Sequence, residues 1–322
     1  MKRNLFLFSG ILALSLSAQA QELKEDYMKW PDSQKLGEYV SQWTPGTPLF
    51  EDENFYISRV KPKARFRNAN TQINEDLTEE TDKKLVFWVP VGTASGGNTN
   101  ARPNGKFDSE VFSMWSYVTH YGNWTSPQGW VPGGFADVAH KNGVGVSGVA
   151  SIPWGGLGKD WENSLNNMSK TADIRTKVAE FLHYHGVDGL GYNSEFNTSN
   201  TTMVANVRSL NEEVHKYLTE KGNPVAENFW YDGTNDNGQL TFDQGLGNHN
   251  KATFGDGEHI RTSLFSNYNW WGRPLGTFNQ NTINTYAPGR SLLDVYAGFN
   301  MQGGDPSTWT LLEDYDVSIG LW

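Results

Sequence analysis

The stretch VDGLGYNSEF, residues 187 to 196, sets an amide and a carboxylate two positions apart at the end of a mostly apolar run. Alternate side chains of an extended strand share a face, so Gly191, Asn193 and Glu195 point one way and Tyr192 and Ser194 the other. A carboxyl can give and take a proton, and an amide beside it can hold a hydrogen-bonding group of a ligand, a pairing suited to acid–base chemistry. The same spacing fits an ordinary strand end with two polar residues facing solvent. Spacing alone leaves both open.

The elements that must position this pair follow from the pattern around it. From residue 84 onward short apolar runs rich in β-branched and aromatic residues recur: KLVFWVPVGT, WSYVTHYGNW, GVGVSGVASIPW, VDGLGYNSE, PVAENFWYDG, HIRTSLFSNY, LLDVYAGFNM and YDVSIGLW. Helix-like segments separate several of them. In TADIRTKVAEFLHYHG the apolar Val178, Phe181 and Leu182 fall at helical spacing, as do Val204, Val207 and Leu210 further on. Each segment ends in a glycine able to cap it in the left-handed conformation, Gly186 and Gly222, just before the next strand. Strand, helix, glycine, strand is the order of parallel β/α units. Eight such strands predict an α/β fold, a (β/α)8 barrel of the TIM type over residues 81–322, whose active site lies at the carboxyl ends of its strands. A doubly wound open sheet is the alternative, but no glycine-rich phosphate fingerprint follows the first strand. The last two residues, Leu321 and Trp322, fall inside the eighth strand with no closing helix after it, which suggests a chain shortened relative to a longer parent.

Ahead of the barrel, residues 21–80 are polar and charged and read as a loop-rich N-terminal extension. Residues 1–20 have the layout of a cleaved secretory signal peptide: Lys2 and Arg3, the run LFLFSGILALSL, then Ala18-Gln19-Ala20. Cleavage after Ala20 and export to a periplasm, cell surface or medium are the expectation. A lipoprotein would need a cysteine at the cleavage site, and the chain has none. The leader is too short to span a bilayer, and no later run of roughly 18 apolar residues provides a transmembrane segment. Without Lys2 and Arg3, 24 basic residues face 36 acidic ones, a net charge of about −12 that argues against nucleic acid or an anionic membrane as partner. Thirteen Trp, thirteen Tyr and seventeen Phe, many beside Gly, Asn or Asp, suit sugar rings with their C–H faces and hydroxyl edges, and equally suit a large core. His183-Tyr184-His185 has no third ligand in view, so no metal is expected. No motif implies a cofactor, and a monomer is expected.

Read whole, Asp188-Gly189-x-x-x-Asn193-x-Glu195 resembles the DGxxxNxE pattern of glycoside hydrolase family 85, the endo-β-N-acetylglucosaminidases. It is also close to the DGxDxDxE strand of family 18 chitinases, where Gly191 and Asn193 stand at two aspartate positions. Other stretches resemble family 85 in order along the chain: WSYVTHYGNW with Tyr117 and His120, GWVPGGFADVAHKNGVGVSG, NFWYDG followed by GQLTFDQGLGNHN, SLFSNYNW and VYAGFNMQGG. The likeness covers roughly residues 84 to 322. It departs at Ile152-Pro153-Trp154, where the family has an acidic residue before Trp, at Phe242, where Trp is usual, and near Asn300, where Asp is usual.

The resemblance implies hydrolysis of the β1,4 bond between the two core N-acetylglucosamines of N-linked glycans, with retention, the sugar's own 2-acetamido group serving as nucleophile. Glu195 would then be the acid and base, with a raised pKa at rest, and Asn193 would offer its side-chain oxygen to the acetamide N–H. Tyr231 matches the family tyrosine that hydrogen-bonds the same acetamide; a barrel-core tyrosine is its other reading. Trp270, Phe242 and Trp154 are candidate substrate-binding aromatics, each also compatible with packing. His120 could bond a sugar hydroxyl or be a structural histidine, and Asp188 is expected to orient neighbouring polar groups. Two other functions stay open: a glycan-binding barrel without catalysis, which would have no need of Glu195, and a family 18-like chitinase, which Gly191 and Asn193 argue against.

Overall fold

The computed structural model describes residues 33–49, 53–64, 82–89, 112–124, 128–270, 278–301 and 306–322. The expected leader at 1–20 and much of the 21–80 extension lie outside these residues. The eight barrel strands are β1 (Leu85–Val89), β2 (His120–Trp124), β3 (Gly145–Ser151), β4 (Leu190–Asn193), β5 (Phe229–Tyr231), β6 (Ser263–Phe265), β7 (Val295–Phe299) and β8 (Ser318–Leu321). Each pairs in parallel with its neighbours in sequence, and β8 pairs with β1 through Leu85↔Ile319 to close the barrel. The α/β barrel expected from the strand count is the fold observed.

The helices form where the caps and apolar spacing allow them. Helix α4 (Ala172–His185) starts at Thr171, whose hydroxyl accepts the Ile174 N–H, and buries Val178, Phe181 and Leu182. It stops at Gly186 with φ 72°, where an added Cβ would lie 2.5 Å from Ser58 Cβ. Helix α5 (Thr201–Glu220) starts at Asn200, whose side chain accepts from the Met203 N–H, and buries Val204, Val207 and Leu210. Together with α3 (Lys159–Ser169) they cover the outer faces of β3 and β4 with one continuous core.

The described part of the extension is more ordered than its composition suggests. Leu36–Gln42 is a helix packed on α3 and α4, and Leu36, Val40, Trp43 and Tyr56 are buried. Positions 36, 40 and 43 share one helical face, an apolar stripe that the surrounding polar residues mask in an averaged reading.

Inside the barrel a small core of Val86, Trp88, Val149, Phe229, Tyr231, Phe265 and Tyr296 fills the lumen. Trp88 lies 4.3 Å from Phe265 at 30° between the ring planes. Strands that face these rings carry glycine: a Cβ on Gly122 would lie 2.4 Å from Trp88, on Gly191 2.7 Å from Val149, and on Gly320 2.6 Å from Phe265. Large rings from some strands therefore need absent side chains on others, and the packed lumen becomes the floor of the mouth.

Candidate active site

Asn193 is the last residue of β4, and its inward direction follows from the alternation that sends Tyr192 outward to Asn211 on α5. The two residues after it are tightly held. Ser194 Oγ donates to the Tyr231 carbonyl at 2.5 Å, and the Gly155 N–H donates to the Glu195 carbonyl at 3.0 Å. A two-residue parallel pair, Gly155–Gly156 with Phe196–Asn197, continues the restraint, and the Phe196 N–H donates to Thr234 Oγ1 at 2.9 Å. Glu195 is thus placed by backbone bonds on both sides of it and not by a mobile loop.

The carboxyl of Glu195 is half-buried and accepts from Asn193 Nδ2 at 2.8 Å. Burial pushes its pKa up and outweighs the downward pull of that hydrogen bond. Because the amide nitrogen is committed to Glu195, the amide oxygen must face the other way. Asn193 Oδ1 is buried and has no hydrogen-bond partner among the described residues. An orphaned acceptor of this kind costs free energy unless a ligand completes it.

Tyr231 ends β5, the next strand, and its ring is buried. Its phenol oxygen accepts from Asn267 Nδ2 at 2.8 Å. Burial, reinforced by the nearby Glu195 charge, pushes the phenol's pKa well up, so it stays protonated. Around these three residues stands a rim of rings: Trp322 lies 5.1 Å from Tyr231 and 4.9 Å from Trp124. Trp154 and Phe242 stack at 5.4 Å and 24°, and Trp154 is 66% exposed. Phe242 sits at φ 46° and Gln244 at φ 59°, in a loop tied to the buried Asp232 by the Gln244 N–H and by Asn250. The structure therefore brings Glu195, Asn193, Tyr231, Phe242 and Trp154 to one end of the barrel.

Two of the substrate-binding candidates are elsewhere. Trp270 is buried beside Phe278, Phe299 and Tyr315, and its Nε1 donates to the Gly298 carbonyl at 3.0 Å, so it is a core ring and not a sugar platform. The chain turns after Asn267, with the Trp270 N–H on the Asn267 carbonyl, and this turn swings the indole outward into a separate apolar cluster that includes Leu264, Ile283, Val295 and Phe299. His120 is the first residue of β2, so it lies at the opposite end of the lumen from the mouth. Its Nε2 meets Ser147 Oγ at 3.1 Å, and burial drives its pKa down to about 4, leaving a neutral structural histidine out of reach of a sugar at the mouth.

Asp188, just ahead of β4, is buried at that same amino end. It accepts from the Val146 N–H at 2.7 Å, Asn223 Nδ2 at 2.8 Å and His140 Nε2 at 2.9 Å, tying β3 and α2 (Gly133–Lys141) to β4. Among the described residues no group of three His, Asp or Glu side chains could hold a metal ion, and no helix is long and apolar enough to cross a membrane. Asn267 was not singled out in advance, although it lies two residues past the inward-facing Phe265 and so on the same face, the relation that singles out Asn193.

Similarity to known proteins agrees with this geometry. The human cytosolic endo-beta-N-acetylglucosaminidase is 26% identical over an alignment of 229 residues that covers 67% of this chain and 28% of that protein. The solved glycoside hydrolase domain of Endo-D from Streptococcus pneumoniae R6 superposes with a TM-score of 0.70 at 22% identity, over 88% of this chain and 45% of that one, and shares the fold. The chain thus spans less than half the length of either relative. The sequence model described as Glycosyl hydrolase family 85 matches residues 95–322, which takes in seven of the eight strands and the whole strand-end constellation, and the chain belongs to that family.

Proposed function

We propose that this protein is an exported endo-β-N-acetylglucosaminidase that hydrolyses the GlcNAc-β1,4-GlcNAc bond in the core of N-linked glycans, with retention and with the substrate's 2-acetamido group as nucleophile. The observation that carries the reading is the buried Asn193 Oδ1, without a partner among the described residues, beside a half-buried Glu195 of raised pKa. An acetamide N–H is the donor that such an oxygen lacks.

In the first step the Glu195 carboxyl protonates the leaving glycosidic oxygen as the acetamide carbonyl oxygen bonds to the anomeric carbon and the glycosidic bond breaks. The product is a cyclic oxazolinium whose N–H charge Asn193 Oδ1 stabilises. In the second step the Glu195 carboxylate takes a proton from water, the water oxygen bonds to the anomeric carbon, and the ring reopens to the acetamide. Two inversions leave net retention, and one protein carboxylate suffices, outside the usual two-carboxylate scheme. Fixing the internal nucleophile in an attack geometry is a proximity effect worth roughly 7 kcal/mol or more. Trp154 and Phe242 offer ring faces to the sugars, the leader at 1–20 supports export, and we take the working form to be a monomer.

Purified chain should release glycan from a high-mannose glycoprotein and leave one N-acetylglucosamine on the protein, and Glu195→Gln should slow this by about 10²- to 10⁴-fold. Binding of the glycan without release would replace the proposal with a glycan-binding barrel, and preference for linear chitin would replace it with a chitinase. N-terminal sequencing of the protein recovered outside the cytoplasm tests cleavage after Ala20.

A further inference from the structure

Two side-chain amides at the mouth have their orientation set by their own partners. Asn193 gives its NH2 to Glu195, which leaves its buried oxygen turned away from Glu195 with no partner among the described residues. Asn267 Oδ1 accepts the Asn269 N–H at 2.9 Å, so its Nδ2 is the end that meets Tyr231, donating to the phenol oxygen at 2.8 Å. That donation fills one lone pair of the phenol. The phenol's own hydrogen then has no acceptor among the described residues, and burial keeps it on the oxygen. The register Gly191↔Phe229 and Tyr192↔Trp230, continued by one residue, sets Asn193 level with Tyr231 on the neighbouring strand.

We propose that Asn267 is a positioning residue that fixes the polarity of Tyr231: by donating to the phenol oxygen it compels Tyr231 to act as a hydrogen-bond donor toward the ligand, opposite the acceptor presented by Asn193. One acceptor and one donor on adjacent strand ends are the complement of a single secondary amide, whose N–H and C=O they would take together. Were Asn267 an acceptor, the phenol would turn its hydrogen to it and present only a lone pair, which repels a carbonyl oxygen. The assignment rests on the acetamido-sugar reading of the site.

Asn267→Asp tests it directly. The substitution keeps the size of the side chain and an acceptor for the Asn269 N–H, but places an oxygen against the phenol. Asn267→Ala removes the partner and substitutes nothing. If Asn267 merely filled space, the alanine variant would be the worse of the two. Polarity control predicts the reverse, with Asn267→Asp lowering kcat/KM for glycan release by about ten- to hundredfold and Asn267→Ala by less. In a Tyr231→Phe background Asn267→Asp should have no further effect, because the hydrogen it redirects is gone.

The same variants, built on Glu195→Gln and titrated with the high-mannose glycan, read the same order from affinity, so a chain that binds without cleaving still decides the matter. Asn267→Asp within about twofold of the unmodified chain, or an equal loss with and without the Tyr231 hydroxyl, would overturn the proposal. Neither release nor binding by the unmodified chain would overturn the reading of the site and this assignment with it. Thermal unfolding of each variant identifies any that do not fold. If Asn267→Asp is one of these, Asn267→Ala combined with Tyr231→Phe decides, non-additive losses supporting the proposal and additive ones overturning it.

Discussion

Glu195 is subject to two opposing influences on its proton: burial, which raises its pKa, and the Asn193 amide, which lowers it, with burial the stronger. A general acid must be protonated when substrate arrives, so kcat/KM for glycan release should fall as pH rises through this raised value. Replacing Asn193 by Ala removes the hydrogen bond that favours the carboxylate. The alkaline limb of kcat/KM should therefore move to higher pH in Asn193→Ala, while the plateau drops by about ten- to hundredfold for want of the acetamide acceptor. Rate measurements from acid to alkaline pH on both proteins check this, and an unmoved limb would show that Asn193 does not govern the Glu195 proton. At this scale the pair itself was legible, since a two-residue period needs only the local chain. Trp270 and His120 were not, because residue type says what a side chain could bind but not which end of a strand, or which side of a turn, it occupies.

The strand that carries the pair depends on what its neighbours lack. Replacing a strand glycine by alanine usually stabilises by limiting the unfolded chain, by about 0.4–1 kcal/mol. At Gly191 the new methyl would lie 2.7 Å from Val149 Cγ2 and 3.0 Å from the Gly148 carbonyl, too close to be absorbed without movement. Overpacking of this kind costs about 1–3 kcal/mol, so Gly191→Ala should be net destabilising in denaturant unfolding. Any shift of β4 also displaces Asn193, and glycan release should suffer with it. Val149→Ala in the same chain vacates the clashing methyl and should recover part of both losses, a recovery absent if the effect of Gly191→Ala were on the backbone alone. Helices α4 and α5 were legible with the glycines that end them, Gly186 and Gly222, because apolar spacing and a left-handed cap act within a few residues of chain, whereas the N-caps Thr171 and Asn200 came from the structure. The helix Leu36–Gln42 was not, since its stripe of three apolar residues gains its meaning from α3 and α4, far away in sequence.

At the amino end of the barrel a charged network joins strands that are distant in the chain. Lys84, just before β1, lies 3.3 Å from Glu227 and 2.9 Å from Asp294, and Arg290 lies 3.0 Å from the same Asp294. Glu227 also accepts from Tyr296 and Ser263, so β1, β5, β6 and β7 meet there. Burial works to neutralise Lys84, but the two carboxylates outweigh it and hold its pKa up. Lys84→Ala would take the lysine from two mostly buried carboxylates, leaving Glu227 with its hydroxyl donors and Asp294 with Arg290. Breaking such a pair costs about 3–5 kcal/mol, less here because Lys84 is 31% exposed, so a loss of roughly 2–4 kcal/mol is expected in denaturant unfolding. A loss below about 1 kcal/mol would mark the network as ordinary surface pairing. The sequence by itself determined the strand and helix grammar, the barrel, and the Asn193–Glu195 pair at a strand end, because each is encoded in periodicity and capping over a few neighbouring residues. Only the tertiary structure decided that Trp270 and His120 lie away from the mouth, that Asn267 reaches Tyr231, and that Lys84 finds its partners. These are contacts between strands separated by scores of residues, fixed by barrel register and by where each chain turn points a side chain, and no local pattern carries that information.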